Sequence, residues 1–202
     1  YFTAAPAMFL LTTLFLQAGL GLEPVYAGMV GIGFAVASAV AASIGGNLVM
    51  RIGRPLVVWG LVIVLASVVA VAAAAYLLPA LTAPWVMAAV MTVGGFGGGL
   101  VIAPNQTLAL MDIPVREGGL AGSIGQLGQR IGAAVGTAVG LSLFYSTIYR
   151  EGGIEHPTLA IFHDAYAIGM VSVALFLALA LLAGVVDLGS RRRRSKIAAA
   201  SS

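Results

Sequence analysis

Six apolar runs, each long enough to cross a lipid bilayer, constrain the fold of this chain more than any other feature. They cover residues 2–19, 27–49, 56–78, 85–110, 119–147 and 164–187. A transmembrane helix needs about 20 mostly apolar residues to cross a hydrocarbon core about 30 Å thick. Glycine and proline stand between the runs, where helices usually end. The pattern therefore predicts an all-α polytopic membrane protein with six transmembrane helices.

The composition supports a membrane setting and excludes several kinds of chemistry. The chain is 60% hydrophobic and 8% charged, whereas soluble domains carry roughly 25% charged residues. It contains no cysteine, which excludes disulfides, thiol catalysis and cysteine-based metal sites. Its basic residues include the run Arg191–Arg194 and Lys196, close behind the sixth apolar run. That position is typical of a juxtamembrane anchor, and we expect no nucleic-acid partner.

The distribution of charge predicts the orientation of the helices. If six helices alternate, one side of the membrane carries Arg51, Arg54, Arg116 and the basic tail. The opposite side carries an uncharged turn at 79–84 and a loop at 149–163 with charges of both signs. By the positive-inside rule, both ends of this segment are cytoplasmic. We therefore expect a multi-pass protein of the plasma membrane, with a six-helix bundle at 1–188 and a basic cytoplasmic tail at 189–202.

One cation stands inside the fifth apolar run. If that run is a helix, Arg130 lies about 16 Å from its start, near the middle of a bilayer core. A charge at that depth is costly and usually marks a water-filled cavity or a substrate path. Gln126 shares a helix face with Arg130, and Gln129 precedes it. We predict that these three residues line a cavity. The alternative is that Arg130 snorkels to the membrane surface or pairs with backbone carbonyls, and only fixes helix packing.

Three further amides interrupt the apolar runs. Asn105 and Gln106 follow Pro104 in the fourth run, and Gln17 lies in the first. A proline inside a helix frees a backbone carbonyl, which a nearby polar side chain or water can satisfy. Asn105 and Gln106 therefore either repair this break or line the cavity as hydrogen-bond donors to a substrate. We place Gln17 on the same substrate path.

Glycine stripes in two of the runs are predicted to be packing surfaces. Glycine lets another helix approach closely in lipid, and it has no side chain with which to bind a ligand. The stripes comprise Gly95 and Gly99 in the fourth run and Gly128, Gly132, Gly136 and Gly140 in the fifth.

The order of the runs suggests an internal repeat. Two polar or glycine-rich runs are followed by an aliphatic run, and the same order then recurs. This order predicts a three-plus-three repeat, although the two triplets do not match residue by residue.

Two motifs carry a resemblance to a known family. Residues 46–54 resemble the cytoplasmic loop motif of the major facilitator superfamily, Gly-x-x-x-Asp-Arg-x-Gly-Arg, at Gly46, Arg51, Gly53 and Arg54. Met50 stands where that motif has its acid. The segments at 104–114 and 122–132 are similar to the fourth-to-fifth helix pattern of the fourteen-span drug–proton antiporter branch. Over essentially all of its length, the chain resembles the C-terminal six-helix half of such a transporter.

The resemblance implies secondary active transport, in which small amphipathic or drug-like molecules are exported by alternating access and coupled to protons. No cofactor and no metal are expected. Because the chain begins at Tyr1 without Met, we expect it to be a piece of a longer protein whose N-terminal half is its partner. The other expected partners are the lipid bilayer, a small-molecule substrate and protons.

Proton coupling requires a carboxylate at membrane depth. The predicted helices place Asp112, Asp164 and Asp187 at helix ends, and the glutamates, Glu155 among them, in loops. We therefore expect the proton-carrying carboxylate in the N-terminal half. His156 and His163 are predicted to be solvated, in the outer loop or at its edge.

An intramembrane enzyme and a membrane scaffold are the alternatives to transport. An intramembrane enzyme is not expected, because Ser123 lacks a Gly-x-Ser-Gly arrangement and neither histidine is placed to reach it. The remaining alternative is a small membrane scaffold or accessory protein that dimerises through its glycine stripes.

Overall fold

The computed structural model describes residues 1–111, 113–152 and 158–200, with the side chains of residue 115 and of 191–200 left aside. Within these ranges the chain forms helices and no strand. The α-helices are α1 (Ala4–Leu14), α2 (Pro24–Met29), α3 (Ile32–Ile52), α4 (Arg54–Leu77), α5 (Ala83–Leu110), α6 (Gly118–Arg150) and α7 (Leu159–Ala200). A π-helical turn, Phe15–Gly19, extends α1, and a 3-10 turn, Val115–Glu117, precedes α6. Asp112, Glu155 and His156 lie outside the described residues, as do the side chains of the basic cluster.

The predicted all-α membrane class is confirmed for the described residues. Five helices are long and apolar enough to cross a membrane, counting Pro24–Ile52 as one, and Ala4–Gly19 is a shorter apolar helix. Each of the six predicted runs coincides with one of these helices. The second begins earlier than predicted, because Pro24 occupies the first helical turn, where a missing N–H costs no hydrogen bond. The last, α7, continues through residue 187 to Ala200.

Glycine and proline set the helix boundaries. Gly53 has a φ of 69°, a conformation that residues with a side chain rarely adopt, and it separates α3 from α4. Pro55 and Pro84 stand in the first turns of α4 and α5, where proline is tolerated. Pro104, by contrast, stands inside α5.

The helices pack as two groups that meet between α4 and α7. α5 packs along both α3 and α4, while α6 and α7 pack against each other and against α1. The largest buried side chains in the core that joins the groups include Phe15, Phe144, Tyr166, Met87 and Met170. α5 and α6 are in slight contact only. A gap therefore remains between the two groups on the side where α5 and α6 face each other.

Glycines allow the closest helix crossings. A Cβ atom on Gly95 would meet the backbone of Phe34, and one on Gly99 would meet the Ser38 carbonyl oxygen, both on α3. On the neighbouring face of α5, a Cβ on Gly97 would lie 2.8 Å from the Gly60 carbonyl oxygen of α4. α5 can therefore approach two helices at once.

The fifth-run glycine stripe is divided between two environments. A Cβ on Gly136 would meet the Thr3 carbonyl oxygen, and one on Gly132 would lie 2.8 Å from the Thr3 hydroxyl. A Cβ on Gly140 would lie 3.3 Å from Leu11 of α1. A Cβ on Gly128 would meet nothing within 4 Å. α1 and the residue before it therefore pack on the later part of the stripe, and Gly128 lies outside this contact.

Candidate functional site

A pocket of about 470 Å³ lies where α5 and α6 diverge, and the first residues of the chain close one side of it. Asn105 and Gln106 line it from α5, while Gln126 and Gln129 line it from α6. We call this space the amide pocket. The structure therefore brings together four of the six residues that the sequence predicts for a substrate path.

The helical repeat explains why these side chains converge. Gln126 and Gln129 are three residues apart, so they lie on one face of α6. Gly122 and Gly125 line the pocket on the same face, and their lack of side chains leaves space for a ligand beside the two glutamines. On α5, Asn105 follows Pro104, at a point where neither α3 nor α4 covers it.

The four amides have no hydrogen-bond partner among the described residues. Other polar side chains in these helices do have one: Asn47 donates to the Ser43 carbonyl oxygen at 3.3 Å, and the Thr92 hydroxyl donates to the Ala88 carbonyl oxygen at 2.8 Å. The amides of the pocket are open to solvent, since three are exposed and Gln129 is half-buried. Water or a ligand is therefore free to pair with them.

The lining of the amide pocket is uncharged. No Asp, Glu, Lys, Arg or His side chain belongs to it in the described ranges. Tyr1 is its one titratable side chain there, and burial raises the pKa of that phenol to about 12. The phenol therefore stays neutral at physiological pH.

The structure does not bring Arg130 or Gln17 into this pocket. The Arg130 side chain is exposed on α6, next to Gln129 but on a surface that α5 and α1 leave uncovered. Gln17 lies half-buried in the π-helical turn, at the far end of the first apolar helix from Thr3.

A second pocket, of about 430 Å³, adjoins the amide pocket through Asn105 and Ala109 and lies between α4, α5 and α7. Arg54 of the loop motif donates to Asp187 of α7 beside it, with 2.5 Å between Nη1 and Oδ2. The motif lacks its usual acid at Met50, and α7 supplies the acidic partner of Arg54. Sequence reasoning missed this pair, because the two residues are far apart in the chain.

The other residues of the loop motif lie at the surface. Arg51 is exposed, and a Cβ on Gly46 or Gly53 would meet nothing within 4 Å. Close packing therefore does not explain why glycine occupies these two positions. At Gly53 the positive φ explains it, because residues with a side chain rarely adopt that conformation.

A third pocket, of about 360 Å³, lies near the opposite end of α1 and is lined by Phe9, Thr12, Gly28 and Met91. We call it the distal pocket. The ring of Phe9 packs edge-to-face on Phe34 at a centroid distance of 4.7 Å. The tip of the Phe34 ring and the Tyr1 hydroxyl both lie against Gly98. Because Phe9 lines the distal pocket and Tyr1 lines the amide pocket, this ring pair stands between the two.

The end of α7 near the distal pocket differs from the sequence prediction. His163 lies half-buried inside α7, with its ring 5.4 Å from that of Phe15 and 5.9 Å from that of Tyr76. It is therefore not a solvated loop residue. One turn further along, the Tyr166 hydroxyl and the Thr12 hydroxyl form a buried hydrogen bond of 3.0 Å. This link between α1 and α7 has no sequence signal, because it joins residues 154 positions apart.

The polar groups of the amide pocket are suited to hydrogen-bonding a ligand. They are amides and hydroxyls, which donate and accept hydrogen bonds without titrating near neutral pH. No protein-family model matches the chain, and no curated protein matches it. The amide pocket is therefore the feature from which function is argued.

Proposed function

We propose that this chain is the C-terminal six-helix half of a major facilitator transporter, and that small molecules leave the cell along a path that includes the amide pocket. The main observation behind the proposal is that the four amides of the pocket have no hydrogen-bond partner in the described part of the chain. Polar groups inside membrane helices usually line a water-filled or substrate-filled path. We infer that these amides line such a path, rather than only repairing the helix break at Pro104.

The helix packing supports a three-plus-three repeat. In such a repeat, α1 corresponds to α5, α2–α3 corresponds to α6, and α4 corresponds to α7. The packing of α5 on α3 and α4 should then have a counterpart in the packing of α1 on α6 and α7. Both sets of contacts are present and the α4–α7 contact maps onto itself, whereas the packing of α6 on α7 has only a slight counterpart between α3 and α4. The same correspondence also relates the amide pocket, at the residues before α1, α5 and α6, to the distal pocket, at α5, α1 and α2–α3. Inverted repeats in transporters place their binding sites at such an interface.

The cargo, the coupling ion and the direction of transport come from the family resemblance. The loop motif at 46–54 resembles that of the major facilitator superfamily, and the segments at 104–114 and 122–132 resemble its drug–proton antiporter branch. In this scheme protons move inward as an amphipathic molecule moves outward, and the proton-carrying carboxylate lies in the N-terminal half. The amide pocket then lies in the cytoplasmic half of the path, because it extends from near the ends of α5 and α6 that face the basic loops to the depth of Arg130.

The dimerising scaffold is not proposed. Its predicted interface comprises both glycine stripes, but Gly95 and Gly99 pack on α3 of the same chain. Gly132, Gly136 and Gly140 in turn lie against residues 3–11 of that chain. An interface with a second copy would have to displace α1.

The proposed orientation predicts the outcome of cysteine labelling, and this segment contains no cysteine of its own. In a full-length background without other cysteines, Ile52→Cys and Glu117→Cys should react with an impermeant maleimide only from the cytoplasm. Leu81→Cys and Glu151→Cys should react only from outside, since the helices alternate and positive charge stays inside. All four positions are exposed. External labelling of position 117 in intact cells would contradict the proposed topology.

Transport itself is testable with the full-length protein in inside-out vesicles. Energised vesicles should accumulate at least one of three probes: the uncharged amide chloramphenicol, the cation ethidium or the anion fluorescein. Accumulation should disappear when an uncoupler collapses the proton gradient, because the gradient is the proposed energy source. Vesicles that accumulate none of the probes, or that accumulate one equally well without a gradient, would rule out the proposed function.

A further inference from the structure

We infer that the amide pocket selects uncharged molecules that carry both hydrogen-bond donors and acceptors, and that it excludes permanent cations and anions. The inference rests on the proposed transport function, and it narrows the substrate of that same site.

The exclusion of ions follows from the lack of a counter-charge. A charged ligand that leaves water is stabilised only by an opposite charge or by several hydrogen bonds to its charged group. The described lining offers neither a carboxylate for a cation nor a cation for an anion. The nearest pair of opposite charges, Arg54 and Asp187, lies beside the adjoining pocket and is already joined.

Arg130 does not provide an anion-binding group in the amide pocket. The sequence alone leaves open that Arg130 binds an anionic group of the substrate. In the structure its side chain is exposed and does not line the amide pocket, although its neighbour Gln129 does. A ligand that contacts the four amides would therefore not contact the guanidinium.

The preference for mixed donors and acceptors follows from the amide group. Each amide side chain presents two N–H donors and one carbonyl acceptor. Asn105 and Gln106 stand on one wall, and Gln126 and Gln129 stand on the other. A ligand with an amide, a carbamate or a diol can pair with both walls, because every such group both donates and accepts. A hydrocarbon or a simple aromatic would leave the four amides unpaired, which is unfavourable.

The rest of the lining favours an amphipathic shape. Phe2, Ala109 and Leu110 offer apolar contacts beside the amides. The volume of about 470 Å³ lies within the range of roughly 300–1,000 Å³ that is typical of small-molecule sites. The expected ligand is therefore a small neutral molecule with one apolar part and one part that carries a hydrogen-bonding pair.

The first arm of the experiment compares probes on the unchanged full-length protein in proteoliposomes with an imposed proton gradient. Chloramphenicol is uncharged and carries an amide and two hydroxyls, ethidium is a permanent cation, and fluorescein is an anion at neutral pH. We expect gradient-driven transport of chloramphenicol and background rates for the other two. This arm needs no variant, so it does not depend on the folding of one.

The second arm changes the charge of the pocket without changing its shape. Gln126→Glu replaces an amide with an isosteric carboxylate, and it should lower chloramphenicol transport about tenfold, while ethidium transport rises above background. Gln126→Leu should lower chloramphenicol transport by a similar factor with no gain of ethidium transport. Gln129→Glu repeats the first change at the second position on α6.

Asn47→Asp is the matched control. It makes the same amide-to-carboxylate change on α3, where Asn47 is exposed and outside the pocket. Its selectivity should equal that of the unchanged protein. A gain of ethidium transport in Asn47→Asp as large as in Gln126→Glu would contradict the assignment of selectivity to the pocket.

The outcomes separate the inference from the function on which it rests. Transport of ethidium or fluorescein above background by the unchanged protein, with or without chloramphenicol, would overturn the inference and leave the transporter assignment intact. The same holds if both glutamate variants keep the original selectivity. If none of the three probes moves, the proposed function fails, and the inference fails with it.

Discussion

Gly136→Leu should remove most of the folded protein from the membrane, whereas Gly128→Leu should leave its amount near that of the unchanged chain. The two glycines are two turns apart on α6, but their surroundings differ. A Cβ on Gly136 would meet the backbone carbonyl of Thr3, which cannot move aside as the end of a side chain can. A Cβ on Gly128 would meet nothing within 4 Å. Overpacking in a closely packed interior costs about 1–3 kcal/mol, and a backbone obstruction costs at least the upper value.

The measurement is the amount of monodisperse protein after detergent extraction, together with its thermal unfolding temperature. Gly136→Ala is the companion variant, because the obstruction begins at the Cβ atom, and it should also lower both quantities. The readout for Gly128→Leu is folding alone, since a leucine there would also fill part of the amide pocket. Equal yields and equal unfolding temperatures for Gly136→Leu and Gly128→Leu would show that α1 does not sit on this stripe.

If the proposed transport function is correct, we expect Arg130→Ala in the full-length protein to abolish efflux while the amount of folded protein stays near normal. Arg130 lies about 18 Å from the start of α6, a depth near the middle of a bilayer core. Its side chain is exposed, and it has no ion-pair or hydrogen-bond partner among the residues that the structure describes. A guanidinium in contact with lipid at that depth costs several kcal/mol. In the whole transporter it must therefore meet water or a carboxylate, which the proposal places in the N-terminal half.

The deciding quantity is transport divided by the amount of folded protein. Arg130→Lys should restore transport only in part, because lysine keeps the charge and loses the planar fork of donors. An arginine that only fixes packing would behave in the opposite way: alanine would lower the folded amount and preserve the rate per molecule. An unchanged rate per molecule in Arg130→Ala would remove Arg130 from the transport mechanism.

The sequence predicts the helices of this chain well for a physical reason. In lipid every backbone polar group must be paired within its own segment, so an apolar run of sufficient length has few alternatives to a helix. The local irregularities were not predicted. The break after Met29 and the π-helical turn at Phe15–Gly19 depend on single backbone hydrogen bonds, such as Gly31 to Gly28 and Leu20 to Phe15. Hydropathy carries no information on these bonds.

The candidate site was predictable in its residue types and only partly in its geometry. Amides within apolar runs need a partner, so Asn105, Gln106, Gln126 and Gln129 stand out in the sequence. Arg130 follows Gln129 directly, but successive residues on a helix point about 100° apart. The packing of α1 on the later glycines of α6 determines which face of α6 turns toward α5. That packing depends on the whole bundle and cannot be read from one helix. For the same reason the partners Arg54 and Asp187 could not be paired from the sequence.

The ring pair of Phe9 and Phe34 has a consequence for water. The amide pocket and the distal pocket both contain polar groups and can both be wet, and the two rings stand between them. Phenyl rings offer hydrogen-bonding water no good partner, and narrow apolar constrictions tend to dry out. In the proposed transporter the two rings would therefore interrupt a chain of hydrogen-bonded water between the pockets. Leakage of protons between the two pockets would then be limited by two aromatic side chains.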